Sequence, residues 1–150
     1  MKNLKFRAKR YSDSEWIYGS GVIFCDDCCF IDKRDECYIQ RPYAFRGNTH
    51  FIELASVMCL DSTVCQFTGI KDKNGNEIYD GDIIRSFDSN GNEIIHYIEW
   101  REDEARFVAV YDYINKWHID LTCGLHQKWI DEYGKEIIGN IYDNPEILNK

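Results

Sequence analysis

Three short runs share one pattern, and they limit what the chain can become. Asp72-Lys73-Asn74-Gly75-Asn76-Glu77-Ile78 is echoed by Asp88-Ser89-Asn90-Gly91-Asn92-Glu93-Ile94 and then by Asp131-Glu132-Tyr133-Gly134-Lys135-Glu136-Ile137. Asp, Gly, Glu and Ile survive in all three. Aspartate at the first position of a four-residue turn accepts bonds from the amides that follow it. Glycine at the fourth takes the positive φ that side chains avoid. A two-residue Asn-Gly turn is the alternative, but Tyr133 suits a turn with two positive φ values poorly. The pattern predicts three hairpins, with Asp72, Gly75, Asp88, Gly91, Asp131 and Gly134 as their turn residues. The same composition could suggest a calcium loop, and its spacing fails. Glu77 and Glu93 stand where such a loop needs glycine, and no bidentate Glu closes it at the required distance.

The segments around these turns read as short strands. Leu4, Phe6 and Ala8 alternate with Lys5, Arg7 and Lys9, which marks a strand half-buried on one face. Trp16 to Gly19, Val22 to Cys25, Cys28 to Ile31 and Cys37 to Ile39 follow, with Asp26-Asp27 as a turn. Residues Phe51 to Leu60 fit either a helical face or a strand, and a strand is preferred. Ile83 to Phe87 should pair through Asn90-Gly91 with Ile94 to Trp100, which puts Ile94, His96, Ile98 and Trp100 on one face. Ala105 to Tyr113, Trp117 to Leu121 and Ile137 to Tyr142 complete the series. Asn144-Pro145-Glu146 has the cap and first-turn residues of a short terminal helix. The expectation is a mainly β fold, a barrel or a sandwich-like arrangement of many short antiparallel strands, in a single domain over residues 1–150.

Composition narrows the class. With 15% aromatics and two prolines, the 150-residue chain is globular. No apolar run approaches the roughly 18 residues of a membrane span, and no apolar stretch follows the basic N-terminus as in a secretory signal. A cytoplasmic protein is expected. The net charge of −8 is uneven, since the first ten residues hold five basic side chains and no acid. The remainder sets 13 basic against 26 acidic residues, and such a surface repels phosphate backbones. Nucleic acid is therefore not the expected partner. The seven cysteines, an odd number, point to reduced thiols and not to a disulfide framework.

A family resemblance emerges from several motifs taken together. Phe6-Arg7-Ala8 and Trp16-Ile17-Tyr18-Gly19-Ser20 come first, then Thr63-Val64-Cys65-Gln66-Phe67-Thr68-Gly69-Ile70-Lys71 leading into the first turn. Ile78-Tyr79-Asp80-Gly81-Asp82-Ile83 and the closing Ile138-Gly139-Asn140-Ile141-Tyr142-Asp143-Asn144-Pro145-Glu146-Ile147-Leu148 complete the set. In order and spacing they resemble the YopX family of phage and prophage proteins. The resemblance implies a small, mostly β protein of a phage or prophage in the bacterial cytoplasm, and it implies no biochemical activity. Cys65 departs from it, standing where the family usually carries glycine.

Candidates for chemistry are few. Cys25, Cys28 and Cys29, with Cys37 eight residues on, could supply thiolates to zinc, but a second knuckle is missing and small apolar side chains are the simpler reading. Asp80 and Asp82, flanking Gly81, could share a metal or act as an acid/base pair. The simpler reading there is a tight glycine bend whose aspartates bond backbone amides. His50, His96, His118 and His126 show no metal-binding spacing, and His96 and His118 read as packing histidines. No serine elbow, phosphate-cradling loop or dinucleotide fingerprint is present. These observations lead to a non-enzymatic accessory protein without cofactors, a homo-oligomer that binds an unidentified protein. A metal-dependent enzyme acting on nucleotides or nucleic acid through Asp80 and Asp82 is the alternative.

Overall fold

Hairpins dominate the computed structural model, which describes residues 4–25, 28–32, 56–111 and 122–149, with the side chains of 23–32, 56, 122, 123 and 149 excepted. The chain divides into two compact units, Met1–Val64 and Cys65–Lys150, and the family motifs quoted above run through both.

In the first unit β1 (Phe6–Lys9) pairs antiparallel with β2 (Trp16–Gly19), Phe6 opposite Gly19 and Lys9 opposite Trp16. β3 (Gly21–Cys25) and β4 (Cys28–Asp32) form a hairpin, and β5 (Ser56–Cys59) adds to β4 with Cys29 opposite Cys59. The strand preferred for the end of the 51–60 segment is thus observed. β5 is tied to β1 by Leu60, whose amide donates to the Lys9 carbonyl at 2.9 Å. Thr63 secures the same junction, its Oγ1 accepting from the Lys9 amide at 2.9 Å and donating to the Leu60 carbonyl at 2.7 Å. The core of this unit gathers Ala8, Ile17 and Cys59, with Phe6, Val22, Val57 and Val64 against them. The alternation in β1 puts Phe6 and Ala8 into this core, but the strand is not buried on one face alone: Arg7 is buried too, its guanidinium 4.5 Å over the Trp16 ring.

The second unit opens with β6 (Cys65–Lys71), which the Asp72 turn folds back onto β7 (Glu77–Tyr79). A five-stranded antiparallel sheet follows, built from β8 (Asp82–Phe87), β9 (Glu93–Arg101), β10 (Arg106–Tyr111), β11 (Thr122–Gly124) and β12 (Glu136–Asn140). Their order is β11-β10-β9-β8-β12. This sheet is open, with β11 and β12 at its edges, so the barrel alternative gives way to open antiparallel sheets. A short helix α1 (Gln127–Glu132) lies between β11 and β12, and a 3-10 turn over Pro145–Asn149 stands where the terminal helix was expected. Ile78, Ile84, Ile98, Ala109 and Ile130 form the core, each fully buried. Each isoleucine withdrawn from water contributes on the order of 2–3 kcal/mol.

Two of the three repeated runs are hairpin turns of one geometry. Gly75 (φ 86°) and Gly91 (φ 83°) take the left-handed conformation, and their amides close the turns on the Asp72 and Asp88 carbonyls. Asp72 Oδ1 accepts from the amides of Asn74 and Asn76, both at 2.8 Å, and Asp88 repeats this with Asn90 and Asn92, again at 2.8 Å. The third run departs from the expected hairpin. Residues 127–132 are helical, and Gly134 (φ 54°) ends that helix. The Lys135 amide donates to the Ile130 carbonyl and the Gly134 amide to that of Asp131, which is the Schellman arrangement. Asp131 accepts from Gln127 one turn earlier and caps no turn. The chain still reverses at this glycine, by a different device.

The strands expected at Cys37 to Ile39 and Trp117 to Leu121, and the beginning of 51–60, lie outside the described residues. No described helix is long and apolar enough to cross a membrane.

The two matched turns differ in burial, and that difference can be measured. Asp72 is 4% exposed, whereas Asp88 is half-buried. The second Asp72 oxygen also accepts from the Ile137 amide at 3.2 Å. Asp72→Ala should cost about 3 kcal/mol in urea unfolding and Asp88→Ala clearly less, because only Asp72 is itself buried and also holds an amide of another strand. Equal losses would show that the tie to β12 is without consequence.

Candidate binding cleft

The residues singled out in the sequence are spread over both units. Gly81 (φ 77°) makes the expected bend, and an added Cβ there would sit 3.0 Å from Tyr142 Cε2. Its amide donates to the Ile98 carbonyl at 2.8 Å and its carbonyl accepts from Ile141 at 2.9 Å. Asp82 is 1% exposed, and its Oδ2 accepts from the Tyr79 amide at 2.8 Å, across the bend. That is the role of a turn-closing carboxylate. Asp80 is half-buried, and its own amide donates to the Gln66 carbonyl. In the cysteine cluster, the β3–β4 hairpin places Cys25 opposite Cys28 and Phe24 opposite Cys29. Cys37 lies outside the described residues, as do the other three thiols. Among the described residues no three His, Cys, Asp or Glu side chains gather as a metal site would require.

A different constellation does come together in the second unit. A cleft of about 800 Å³ opens between the β8–β9 turn, β10 and the end of α1. Its lining brings together Ser86, His96 and Lys135 as polar groups, with Phe87, Ile94, Tyr111, Trp129 and Tyr133 around them. Strand periodicity accounts for part of this, since Ile94 and His96 share one face of β9 and Ser86 sits in register with Ile94 on β8. The Schellman reversal accounts for the rest, because it brings Lys135 back against Trp129 of α1 and Tyr133 at its end.

The polar groups are buried and tightly arranged. Lys135 is 3% exposed and Ser86 2%, and Lys135 Nζ donates to Ser86 Oγ at 2.8 Å. The same ammonium lies 3.7 Å over the Trp129 ring and 5.5 Å from that of Tyr133, a geometry suited to the cation. His96 stands edge-on to Trp129 at 5.2 Å and tilted against Tyr111 at 5.5 Å. Its Nδ1 is buried and makes no hydrogen bond among the described residues. Burial, with the Lys135 charge as a smaller cause, brings its pKa down to about 4, so the ring is neutral at pH 7. Phe87 and Tyr133 are more than half exposed.

Chemically the arrangement offers a cation and a hydroxyl at the floor, a neutral imidazole beside them and an aromatic wall. The packing expected for His96 is observed. Lys135 and Ser86 went unnoticed in the sequence, although one signal was available. Where the first two repeats carry Asn76 and Asn92, the third carries Lys135.

His96 makes the stability of the fold depend on pH. Between pH 6.5 and about 4 the unfolded chain binds a proton that the folded ring does not. Its contribution is therefore whole above pH 6.5 and is lost as pH falls through that window, by about 3 kcal/mol at completion. His96→Phe keeps a ring against Trp129 and should flatten this part of the curve of unfolding free energy against pH. A variant as steep as the wild type would assign the effect to another group.

Comparison with known proteins adds the family. No curated protein matches the chain. The crystal structure of protein EF1440 from Enterococcus faecalis is similar, with a TM-score of 0.55 and 24% identity over 97% of each chain. That likeness shows a shared fold. The family model described as YopX protein matches residues 5–149, nearly the whole length, and the chain belongs to the YopX family.

Proposed function

We propose that this chain is a non-enzymatic accessory protein of a phage or prophage, working in the bacterial cytoplasm as a self-associating module that docks another protein. The observation that carries the reading is the cleft of the second unit, with exposed Phe87 and Tyr133 among its lining residues. Aromatic side chains half in water and beside a concave surface are the usual anchors of protein contacts. Further large apolar side chains stand exposed, Tyr11, Tyr18 and Met58 in the first unit and Trp100 in the second. The acidic surface favours protein over nucleic acid as the partner.

Sedimentation velocity tests the self-association. The wild type should shift towards faster-sedimenting species as its concentration rises from micromolar to hundreds of micromolar. The doubly substituted Phe87→Ala, Tyr133→Ala protein should need at least about thirtyfold more protein to reach the same state, since each lost anchor costs more than about 1 kcal/mol. A wild type that stays monomeric throughout overturns this part of the reading.

A further inference from the structure

Resting on the self-associating reading of the module, we propose that the cleft of one copy takes the Tyr11 ring of a second copy, whose phenol hydroxyl bonds His96 and Ser86 at the floor. Two buried groups there lack part of their hydrogen bonding. His96 is 7% exposed, and its Nδ1 has no partner among the described residues. Ser86 is 2% exposed, and its Oγ accepts from Lys135 Nζ at 2.8 Å. No acceptor for the Ser86 proton stands among the described residues. Buried groups left in this state are costly, so a ligand that completes them gains what the fold leaves unmade. The two are diagonal neighbours on one face of β8 and β9, with Cα atoms about 7–8 Å apart. One atom between their side chains can therefore serve both.

The chemistry of these groups selects a hydroxyl on an apolar carrier. The ring of His96 is neutral at pH 7, so one of its nitrogens is bare. With Nδ1 as that nitrogen, a hydroxyl donates to it and accepts from Ser86. A carboxylate has no proton to donate, an indole N–H accepts nothing, and a phenyl ring does neither. The lining by Ile94, Trp129, Phe87 and Tyr133 requires that the hydroxyl arrive on an apolar side chain. A phenol meets both conditions.

The chain itself displays one. Three tyrosines are more than half exposed among the described residues, Tyr11, Tyr18 and Tyr133. Tyr133 lines the cleft, and Tyr18 lies within β2 opposite Arg7. Tyr11, 67% exposed, opens the turn between β1 and β2. Its amide donates to the Met58 carbonyl at 3.0 Å, and the Ser14 amide closes the turn on the Arg10 carbonyl at 2.9 Å. The ring is thus carried on a fixed tip, with little left to order on contact. Charge favours the same approach. Residues 1–64 hold nine basic and nine acidic side chains, so the whole net charge of −8 falls on residues 65–150. Two second units repel each other, whereas a neutral first unit meets a second unit without that repulsion.

Sedimentation velocity on the intact chain, from micromolar to hundreds of micromolar, tests the contact. Tyr11→Phe removes a single hydroxyl from an exposed side chain and leaves the fold as it is. It should need at least about tenfold more protein than the wild type to associate equally, because two buried groups then stay unmade in a closed cleft. His96→Phe, its fold checked by circular dichroism and thermal melting, should lose a similar factor. The double variant is the decisive one: its loss should be clearly smaller than the two single losses combined, since both remove the same bond. Ser86→Ala takes the place of His96→Phe in this cycle if the phenylalanine variant does not fold. A Tyr11→Phe protein that associates like the wild type, or losses that combine in full, overturns the contact and leaves the self-associating module standing. A wild type that is monomeric throughout overturns the module reading and the contact with it.

Discussion

One carboxylate, that of Asp72, holds the second unit to its shape. Its Oδ1 accepts from two amides of its own turn, and its Oδ2 accepts from Asn76 Nδ2 at 3.0 Å and from the Ile137 amide. Burial pushes its pKa up, but the bonds from Asn76, Ile137 and Asn74 outweigh that and leave it below the usual carboxylate value. The turn thus carries a fixed negative charge whose last bond lies on another strand, 65 residues on. The Lys73 amide reinforces the link by donating to the Lys135 carbonyl at 2.9 Å. Between these two bonds sits Glu136, which pairs with Lys73 at 2.7 Å and with Arg85 at 2.6 Å. Those two cations, Lys73 first, bring the Glu136 carboxyl down to about 2. The start of β12 is therefore fixed from both sides, and with it the backbone that aims Lys135.

From that constraint the cleft follows. Lys135 is bracketed by the Schellman bonds of α1 before it and by the Asp72 ties after it, so its backbone has little freedom. A buried ammonium with a mobile backbone would relax towards water, because taking such a charge out of solvent costs several kcal/mol. Here it is held against Trp129 and Ser86 instead, and the position of the charge is set before any ligand arrives. Preorganisation of this kind favours binding, since little ordering remains to be done on contact.

The sequence announced the fold more clearly than the cleft, for a physical reason. Gly75 and Gly91 were legible because a turn is a local object, specified by four or five adjacent residues whose φ values and side-chain bonds are mutual. The alternation in β1 and the shared face of Ile94, His96 and Ile98 were legible for the same reason, as strand period is local too. The third repeat misled because Asp-x-x-Gly also ends helices. The decision fell to residues 126–130, where His126 caps through its Nδ1 to the Trp129 amide at 3.1 Å and Ile130 buries one helical face. Histidine is a weak signal for a cap, and six residues are too few for helical period to show. The cleft draws on β8, β9, β10 and α1 at once, and no window along the chain contains them together.

The contrast among the three repeats shows how a structural device becomes a chemical one. In the first two, the residue after glycine is asparagine, and its side chain turns back to the aspartate that opens the turn. That bond closes the motif on itself and leaves nothing to offer a neighbour. In the third, the aspartate is engaged one helical turn earlier by Gln127, so the position after glycine has no carboxylate to serve. The side chain there is free of the turn's own requirements, and a long cation placed at it reaches away from the reversal to Ser86 on β8. There it donates to the serine hydroxyl, lies over the tryptophan face and stands beside an uncharged histidine. Turn chemistry thus accounts for Asn76 and Asn92, whereas Lys135 makes sense through the cleft it lines.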